Sequence, residues 1–427
     1  MSKTSKGFKQ FLILWLGDLI ASIGSGMTAF GLGVYVWQLT GSALDVGMVE
    51  TAALLPAILL APIAGVLADR YDRRLLMVLG DFVSALGLIL MLILMALGNI
   101  KVLQIVFCVG FNSVFVSLLS PAFKATITDL LSEEEYTKAS GMMGISSSSK
   151  FLISPVLGGI IMAAFGMEVI LLIDIFTIFI TIMAILAVRK SIAVKSTVKK
   201  EFNFIRDLKE GWLVIVESKG VVVLISLVSL LMFYLGFIQM LSKPMILSFT
   251  NEQVTGLMQT ICALGMMVSS IVIGGGILKK NYVNVLVLSC VVAGVAMAGF
   301  GATTTIPVIV VFGFIFFASL PYATASIDVL IRKSIDNEKQ GRAWGLISLI
   351  SQLGFVLAYI LSGVLTDYVF EPALKEGGIL ANSIGRLIGT GEGRGIGFLL
   401  IIAGAGLVIT ALFTSKSKSI RQLEKAE

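Results

Sequence analysis

The sequence predicts an all-α membrane protein in which twelve transmembrane helices form two six-helix bundles that repeat each other's pattern. Of its 427 residues, 57% are hydrophobic and 14% are charged, whereas soluble domains carry about 25% charged residues. Runs of about 20 apolar residues recur along the whole chain, and each can cross the roughly 30 Å hydrocarbon layer of a bilayer as a helix. We therefore expect a lipid bilayer around the chain and no soluble domain between the spans.

The apolar runs fall into two sets of six. The first six are expected near residues 11–36, 46–68, 75–98, 102–128, 140–164 and 168–188. The second six are expected near residues 220–242, 253–276, 283–301, 306–330, 343–368 and 395–414. The predicted domains are therefore an N-terminal bundle over residues 1–188, a cytoplasmic linker over residues 189–219 and a C-terminal bundle over residues 220–427.

The linker and an internal repeat support this division. Apolar residues at helical spacing predict an amphipathic helix on the membrane surface, with a partner-binding helix as the alternative; they are Ile205, Leu208, Trp212 and Val216. Residues 120–127 (SPAFKATI) resemble residues 320–327 (LPYATASI) on the other side of the linker. Weak repeats of this kind are typical of duplicated transporter halves, which bind substrate between them near the midplane.

The charge distribution indicates topology. The net charge is +6, but most Lys and Arg residues lie on alternate loops, as expected when both termini are cytoplasmic. We therefore expect no nucleic-acid partner. The three cysteines Cys108, Cys262 and Cys290 lie inside predicted spans without metal-ligand spacing. No metal, cofactor or catalytic residue is expected, because no nucleophile–base pair is found in the spans.

The segment from Gly65 to Arg74 (GVLADRYDRR) places five charges between two apolar runs. It resembles the signature loop between the second and third helices of the major facilitator superfamily of transporters. Five of the six fixed positions of that loop match, and Asp72 stands where the family has glycine. The resemblance covers nearly the whole chain and implies the twelve-helix fold of that superfamily.

The resemblance also implies a conformational latch on the cytoplasmic side, made by Gly65, Asp69, Arg70, Arg73, Arg74 and Asp129. Gly65 would allow a close approach of helices. Asp69 would accept hydrogen bonds from the N–H groups at the start of span 11. Arg73 would pair with Asp129 at the end of span 4. A set of solvated charges that only fixes topology is the alternative.

Span 5 carries a second resemblance, to the glycine and proline motif of antiporters within the superfamily. The matching residues are Gly141, Pro155, Gly158 and Gly159. Small residues permit close packing of helices, and Pro155 predicts a bend. The resemblance implies antiport, although Lys150 and Ser154 stand where the motif has glycine.

Six ionisable residues lie within the first six spans: Asp18, Glu50, Asp81, Lys124, Lys150 and Asp174. Such residues are functional hypotheses by default because charge is costly inside a membrane. Counting along the helices places Asp18, Lys124 and Lys150 at similar depths. We expect a proton-coupling network in which Asp18 binds the proton, Lys150 stabilises its charged form and Glu50 is a second acid. A structural ion pair is the alternative, and Asp81 and Asp174 are expected to pack helices.

The second six spans are rich in aromatic residues. A substrate cavity is predicted there, lined by Phe233, Tyr234, Phe237, Phe316 and Tyr322, with Gln239 and Gln352 as polar groups. Large rings with few polar groups suit a bulky and largely apolar ligand. The chain contains no histidine, so any proton relay must use carboxylates.

Within the superfamily the chain resembles the bacterial branch of macrolide efflux proteins. The residues concerned are Gly24–Met27, Thr40–Ala43, Ala68–Arg74 and Gly393–Gly397. The resemblance implies proton-driven export of small amphiphilic compounds, such as macrolides or peptide natural products. We expect a monomer in the bacterial cell membrane. A lysophospholipid carrier or lipid flippase with the same fold is the alternative. A surface helix or lid is expected over residues 370–393, on the extracellular side.

Overall fold

The computed structural model describes residues 6–98, 100–188, 212, 216, 219–276, 281–335 and 337–425. Within these ranges, twelve helical segments are long and apolar enough to cross a membrane. The helices of the first half are α1 (Lys6–Thr40), α2 (Ala43–Arg70), α3 (Arg73–Ala96), α4 (Val102–Leu130), α5 (Glu133–Leu152), α6 (Ser154–Phe165) and α7 (Met167–Val188). The predicted linker lies almost entirely outside the described residues.

The helices of the second half are α8 (Lys219–Leu247), α9 (Glu252–Gly274), α10 (Tyr282–Ala302), α11 (Ile306–Ser334) and α12 (Asn337–Leu365), followed by the π-helical turn Thr366–Phe370. The last of the twelve spans is α15 (Arg394–Lys416), and three short helices accompany it: α13 (Glu371–Leu374), α14 (Gly385–Ile388) and α16 (Lys418–Lys425). The predicted all-α fold with twelve spans is confirmed. The observed helices extend several residues beyond many of the predicted ends, because the polar residues that flank an apolar run continue the helix.

The fifth span consists of two helices, α5 and α6. They are separated at Ile153, which has φ −101° and ψ −45°. Pro155 occupies the first turn of α6, where its missing N–H would have no partner in any case. The break therefore lies beside the proline at which the sequence predicts a bend.

The chain divides into two compact units. Unit 1 comprises Met1–Thr40, Met48–Phe202 and Glu252–Leu257, and unit 2 comprises Gly41–Gly47, Asn203–Asn251 and Met258–Glu427. Two short segments thus pack with the other half of the sequence. The first turn of α2 belongs to unit 2, and the first turns of α9 belong to unit 1.

Unit 1 is built around α1, which packs along α5, α6 and α7, while α3 packs between α4 and α7. One core cluster joins the beginning of α1, the beginning of α3 and the end of α7 through Phe8, Met77 and Val188. The indole Nε1 of Trp15 donates a hydrogen bond to the Met142 carbonyl at 2.7 Å, which fixes α1 against α5.

Unit 2 depends on close helix contacts at glycines. Helix α10 packs against α11 and α15, and α8 packs against α12. Gly294 on α10 and Gly404 on α15 face each other so closely that a Cβ on Gly294 would lie 2.6 Å from the Gly404 carbonyl oxygen. Contacts of this kind let backbones approach where apolar burial alone gives no driving force in lipid.

The segment over residues 370–393 is attached to α15 through Glu371, and Arg394 at the beginning of α15 binds the end of α10. Glu371 accepts a hydrogen bond from the Ile396 N–H at 3.1 Å, and Arg394, 3% exposed, donates to the Gly301 carbonyl at 2.9 Å. A carboxylate in this position satisfies N–H groups that have no partner within the first turn of a helix. Helices α13 and α14 form part of this segment, where the sequence predicts a surface helix or lid.

The glycine contact in unit 2 gives the first prediction. We expect Gly404→Ala to lower the stability of the purified protein by about 1–3 kcal/mol, since a Cβ there would lie 2.8 Å from the Ala298 amide nitrogen. Thermal unfolding in detergent measures this. Gly110→Ala is the matched control because a Cβ at Gly110 would lie 3.9 Å from its nearest neighbour. Equal unfolding temperatures for the two variants would show that the α10–α15 contact is loose.

Candidate functional site

The signature loop places Asp72 at the beginning of α3. Its backbone is extended (φ −60°, ψ 112°), and its Oδ1 accepts a hydrogen bond from the Arg74 N–H at 3.0 Å. Asp72 is therefore the N-cap of α3, a position that favours Asp, Asn, Ser and Thr. This role of Asp72 is not among the predictions made from the sequence, although an Asp directly before a helix is the usual signal for it.

Arg73 joins three helix ends. Its Nη1 lies 2.5 Å from Asp129 Oδ2 and donates to the Ala125 carbonyl at 3.3 Å, while Nε donates to the Ala68 carbonyl at 3.1 Å. The guanidinium thereby connects the end of α2, the beginning of α3 and the end of α4. Arg74 makes a longer contact, with Nε 3.8 Å from Asp72 Oδ1.

The glycines of the antiporter-type motif in α5 and α6 differ in how closely they pack. Gly158 packs against Phe30 on α1, and a Cβ on Gly159 would lie 2.6 Å from the Glu252 carbonyl oxygen at the beginning of α9. A Cβ on Gly141, by contrast, would meet no described atom within 4 Å. The expectation of close packing at Gly141 is wrong, because this part of α5 borders open space.

The ionisable residues of unit 1 do not form the expected Asp18–Lys150–Lys124 network. Asp18 is half-buried beside Ser146, and the charge of Lys150 acts on Asp174. Among the described residues Lys150 forms no salt bridge with Asp18. The expected ion pair is therefore wrong in this structure.

Lys124 and Glu50 lie elsewhere in unit 1. Lys124 lines a separate cavity of about 430 Å³ between α4 and α5, together with Ile127, Thr128, Tyr136, Ala139, Ser140 and Met143. None of these lining residues is acidic, so the cavity offers Lys124 no carboxylate partner. Glu50 is half-buried near the beginning of α2.

Asp367, in the π-helical turn after α12, caps the beginning of α2. Ser42 Oγ donates to its Oδ2 at 2.7 Å, the Ala43 N–H donates to Oδ1 at 3.0 Å, and the Leu44 N–H donates to Oδ2 at 2.9 Å. Gly363 makes the approach possible, since a Cβ there would lie 2.6 Å from Leu44 Cα. Asp367 is not among the residues predicted from the sequence, because its partners are distant from it along the chain.

Residues 14–359 match the family model described as Major Facilitator Superfamily. The chain belongs to the Major Facilitator Superfamily. Macrolide efflux protein A of Streptococcus pyogenes is 25% identical over 378 residues, covering 86% of this chain and 92% of the relative. Multidrug resistance protein 2 of Bacillus subtilis (strain 168) is 23% identical over 389 residues, covering 88% and 93%. The solved structure of the nucleoside transporter NupG shares the fold, with 14% identity, a TM-score of 0.76 and coverage of 96% of this chain and 100% of that one.

Membership of the superfamily makes this chain a multi-pass membrane transporter. The structure describes one part of the expected latch, which is the contact of Arg73 with Asp129. The side chains of Asp69, Arg70 and residues 336–345 lie outside the described residues, so the role of Asp69 stays a prediction. No described atom lies within 4 Å of a Cβ built at Gly65, so the expected close approach of helices there also stays a prediction.

Some of the aromatic residues predicted to line a substrate cavity pack between helices instead. Phe237 is 3% exposed and Phe316 is 1% exposed, so the prediction that they line a substrate cavity is wrong. Their rings fill the helix packing of unit 2, where Phe237 lies 4.8 Å from Phe233 between ring centroids. Gln239 accepts a hydrogen bond from the Tyr359 hydroxyl at 3.3 Å.

The other residues of the predicted cavity are more accessible. Phe233, Tyr234 and Tyr322 are half-buried. Gln352 Nε2 donates to Ser348 Oγ at 3.1 Å on an accessible face of α12. These four side chains remain candidates for contact with a substrate.

The Asp367 cap gives the second prediction. We expect Asp367→Ala to speed amide exchange in a peptide covering residues 43–47 by roughly 5- to 30-fold, because a helix cap contributes about 1–2 kcal/mol. Hydrogen exchange with mass spectrometry measures this. Asp45→Ala is the control, since it removes a carboxylate from the same turn and leaves the cap in place. Exchange that is equally fast in both variants would contradict the cap.

Arg73 gives the third prediction. Arg73→Lys keeps the charge but loses the forked donor that reaches Asp129 and two carbonyls, so we expect a loss of about 1–3 kcal/mol in the free energy of unfolding. Arg74→Lys is the control and should change little. Combining Arg73→Lys with Asp129→Asn should cost less than the sum of the two single changes. Additive losses would show that the two side chains act independently.

Proposed function

We propose that this transporter exports small amphiphilic compounds, such as macrolide-like drugs or peptide natural products, by proton antiport with alternating access. The observation that carries the proposal is the similarity to Macrolide efflux protein A, which extends over 86% of the chain. Multidrug resistance protein 2 matches a similar share. Both names describe resistance or efflux, which favours outward movement of a drug-like compound.

The polar groups of unit 1 support protons as the coupling ion. Asp18 and Glu50 are carboxylates within membrane spans, and a carboxylate there is costly unless it binds a proton or a partner. The chain contains no histidine, so a proton relay inside the spans has to use carboxylates. Asp18 is half-buried beside Ser146, which leaves it reachable by water or substrate.

The side chains of unit 2 support a bulky apolar substrate. The half-buried rings of Phe233, Tyr234 and Tyr322, with the amide of Gln352, offer large apolar faces with few hydrogen-bonding groups. Such surfaces bind amphiphilic ligands better than sugars or phosphates, which need many polar partners.

The Asp367 cap and the Arg73 contact support alternating access. Each fixes a helix end through hydrogen bonds that can break and form again without a change in the helix itself. We further propose that the protein is a monomer in the bacterial cell membrane, with both termini on the cytoplasmic side, as the distribution of Lys and Arg favours.

The test is transport by the purified protein in proteoliposomes. We expect a labelled macrolide or a fluorescent amphiphilic cation to accumulate against its gradient when a pH gradient is imposed, and to stop when the gradient is collapsed. A labelled lysophosphatidylcholine is measured in parallel. Transfer of the lysolipid without a pH gradient, and no movement of the other two compounds, would replace the proposal by the lipid-carrier alternative.

Asp18→Asn gives the fourth prediction. We expect gradient-driven accumulation to be lost while downhill movement of the same compound continues, because the variant binds substrate but cannot exchange a proton at this position. Flux is measured in the same proteoliposomes, with and without the gradient. Glu376→Gln, which removes an exposed carboxylate, is the control and should keep both fluxes. Uphill accumulation by Asp18→Asn would exclude Asp18 as the coupling residue.

A further inference from the structure

Three carboxyl groups from three helices lie within electrostatic range of one another inside unit 1. Asp81 on α3 is close enough to Asp18 on α1 and Asp174 on α7 for the charges of both to act on it. Asp81 is 7% exposed and Asp174 is 3% exposed. Asp81 and Asp174 are expected from the sequence to pack helices, yet acids that repel one another do not stabilise packing while they are charged.

The three acids lie at increasing depth from one end of the unit. Phe8, Met77 and Val188 share a core cluster, so the beginning of α1, the beginning of α3 and the end of α7 meet there. At about 1.5 Å per helical residue, Asp81 lies ~12 Å, Asp18 ~18 Å and Asp174 ~21 Å from those ends. Asp18, the most exposed of the three, therefore lies at a depth between those of Asp81 and Asp174.

The structure makes room for the innermost acid. Gly24 on α1 lies so close to Asp174 that a Cβ there would be 3.0 Å from Oδ1. Thr177 offers Asp174 Oδ1 a long hydrogen bond of 3.5 Å, and Thr28 lies beside it. Lys150 acts on Asp174 through its charge but forms no salt bridge with it among the described residues.

Among the three acids, Asp81 has the fewest contacts that could stabilise a negative charge. Its Oδ2 is buried and has no hydrogen-bond partner within the part of the chain that the structure describes. No described Lys or Arg forms a salt bridge with it. On the α4 side, Gly80 faces Phe115 and Leu119, which carry no charge. The charged groups that face Asp81 are therefore acids, Asp18 and Asp174, and an unpaired carboxylate in such a site is strongly disfavoured.

A metal ion does not fit this arrangement. No group of three described His, Cys, Asp or Glu side chains converges closely enough to hold one. A proton needs only one carboxyl oxygen, and it removes the charge that makes the burial of Asp81 costly. The chemistry of the site therefore favours protons as its ligand.

We propose that Asp81, Asp174 and Asp18 form a buried proton-binding site, in which fewer than three negative charges are present at any time. A proton passes between neighbouring groups when a carboxylic acid gives its proton to a carboxylate, so the donor becomes the carboxylate and the total charge stays the same. Asp18 exchanges with the surroundings, and Asp81 and Asp174 hold the proton away from water. The role of this site in transport rests on the proposed function, whereas the binding of protons to it does not.

Infrared difference spectroscopy of the purified full chain tests the site without any substrate. Spectra are compared between mildly acidic and mildly alkaline buffer, and the carboxylic-acid C=O stretch reports protonated side chains. We expect a band that shifts when aspartate is labelled with ¹³C at its side-chain carboxyl. Asp81→Asn and Asp174→Asn should each remove part of it, and Glu376→Gln should leave it unchanged. Asparagine closely matches the shape of a protonated aspartic acid, so the variants should fold.

The outcomes separate this site from the proposed export function. A ¹³C-sensitive acid band that loses intensity in the two Asn variants supports the site, whether or not a macrolide is transported. The absence of such a band from the wild type would overturn the proposal, even if one variant failed to fold. If the band behaves as expected but Asp81→Asn and Asp174→Asn keep full gradient-driven accumulation, the role of the site in coupling is overturned.

Discussion

The structure of this transporter depends on one constraint, that each polar group inside the bilayer must find its partner within the protein. Helices meet this requirement for the backbone, which is why the described chain is helical wherever it is apolar. Helix ends and side chains remain to be satisfied. The three-helix junction at Arg73, the cap by Asp367 and the cap by Glu371 are solutions of the same kind, in which one charged side chain satisfies several backbone groups at once.

The same constraint explains the importance of glycine. Lipid gives little hydrophobic driving force between helices, so association depends on close contact. Gly404 brings two backbones together, whereas Gly24 and Gly363 make room for a carboxyl group or for its approach to a helix end. Small residues thus serve both packing and the placement of charge, and a substitution at one of them affects both.

The sequence predicted the twelve spans well, because hydrophobic length is a local property and each span is long. It also predicted that Arg73 and Asp129 belong together, from a family pattern. It failed where the outcome depends on which face of a helix meets which neighbour. Phe237 and Phe316 are large aromatic residues of the kind that line substrate cavities, but they lie in the packed interior. Lys150 and Asp18 are predicted to lie at similar depths in the bilayer, yet the charge of Lys150 acts on Asp174. The partners of Asp367 are separated from it by more than 300 residues, a contact that periodicity cannot indicate.

Helix α2 has a mechanical consequence that follows from its two ends. It contains 28 residues and is therefore about 42 Å long, with the Asp367 cap at its beginning and the Arg73 junction directly after its end. Pro56 and Pro62 lie inside this helix. Each removes one backbone hydrogen bond from the helix and favours a kink. Helix α2 can therefore bend between its two anchored ends, and the prolines are the points at which bending costs least.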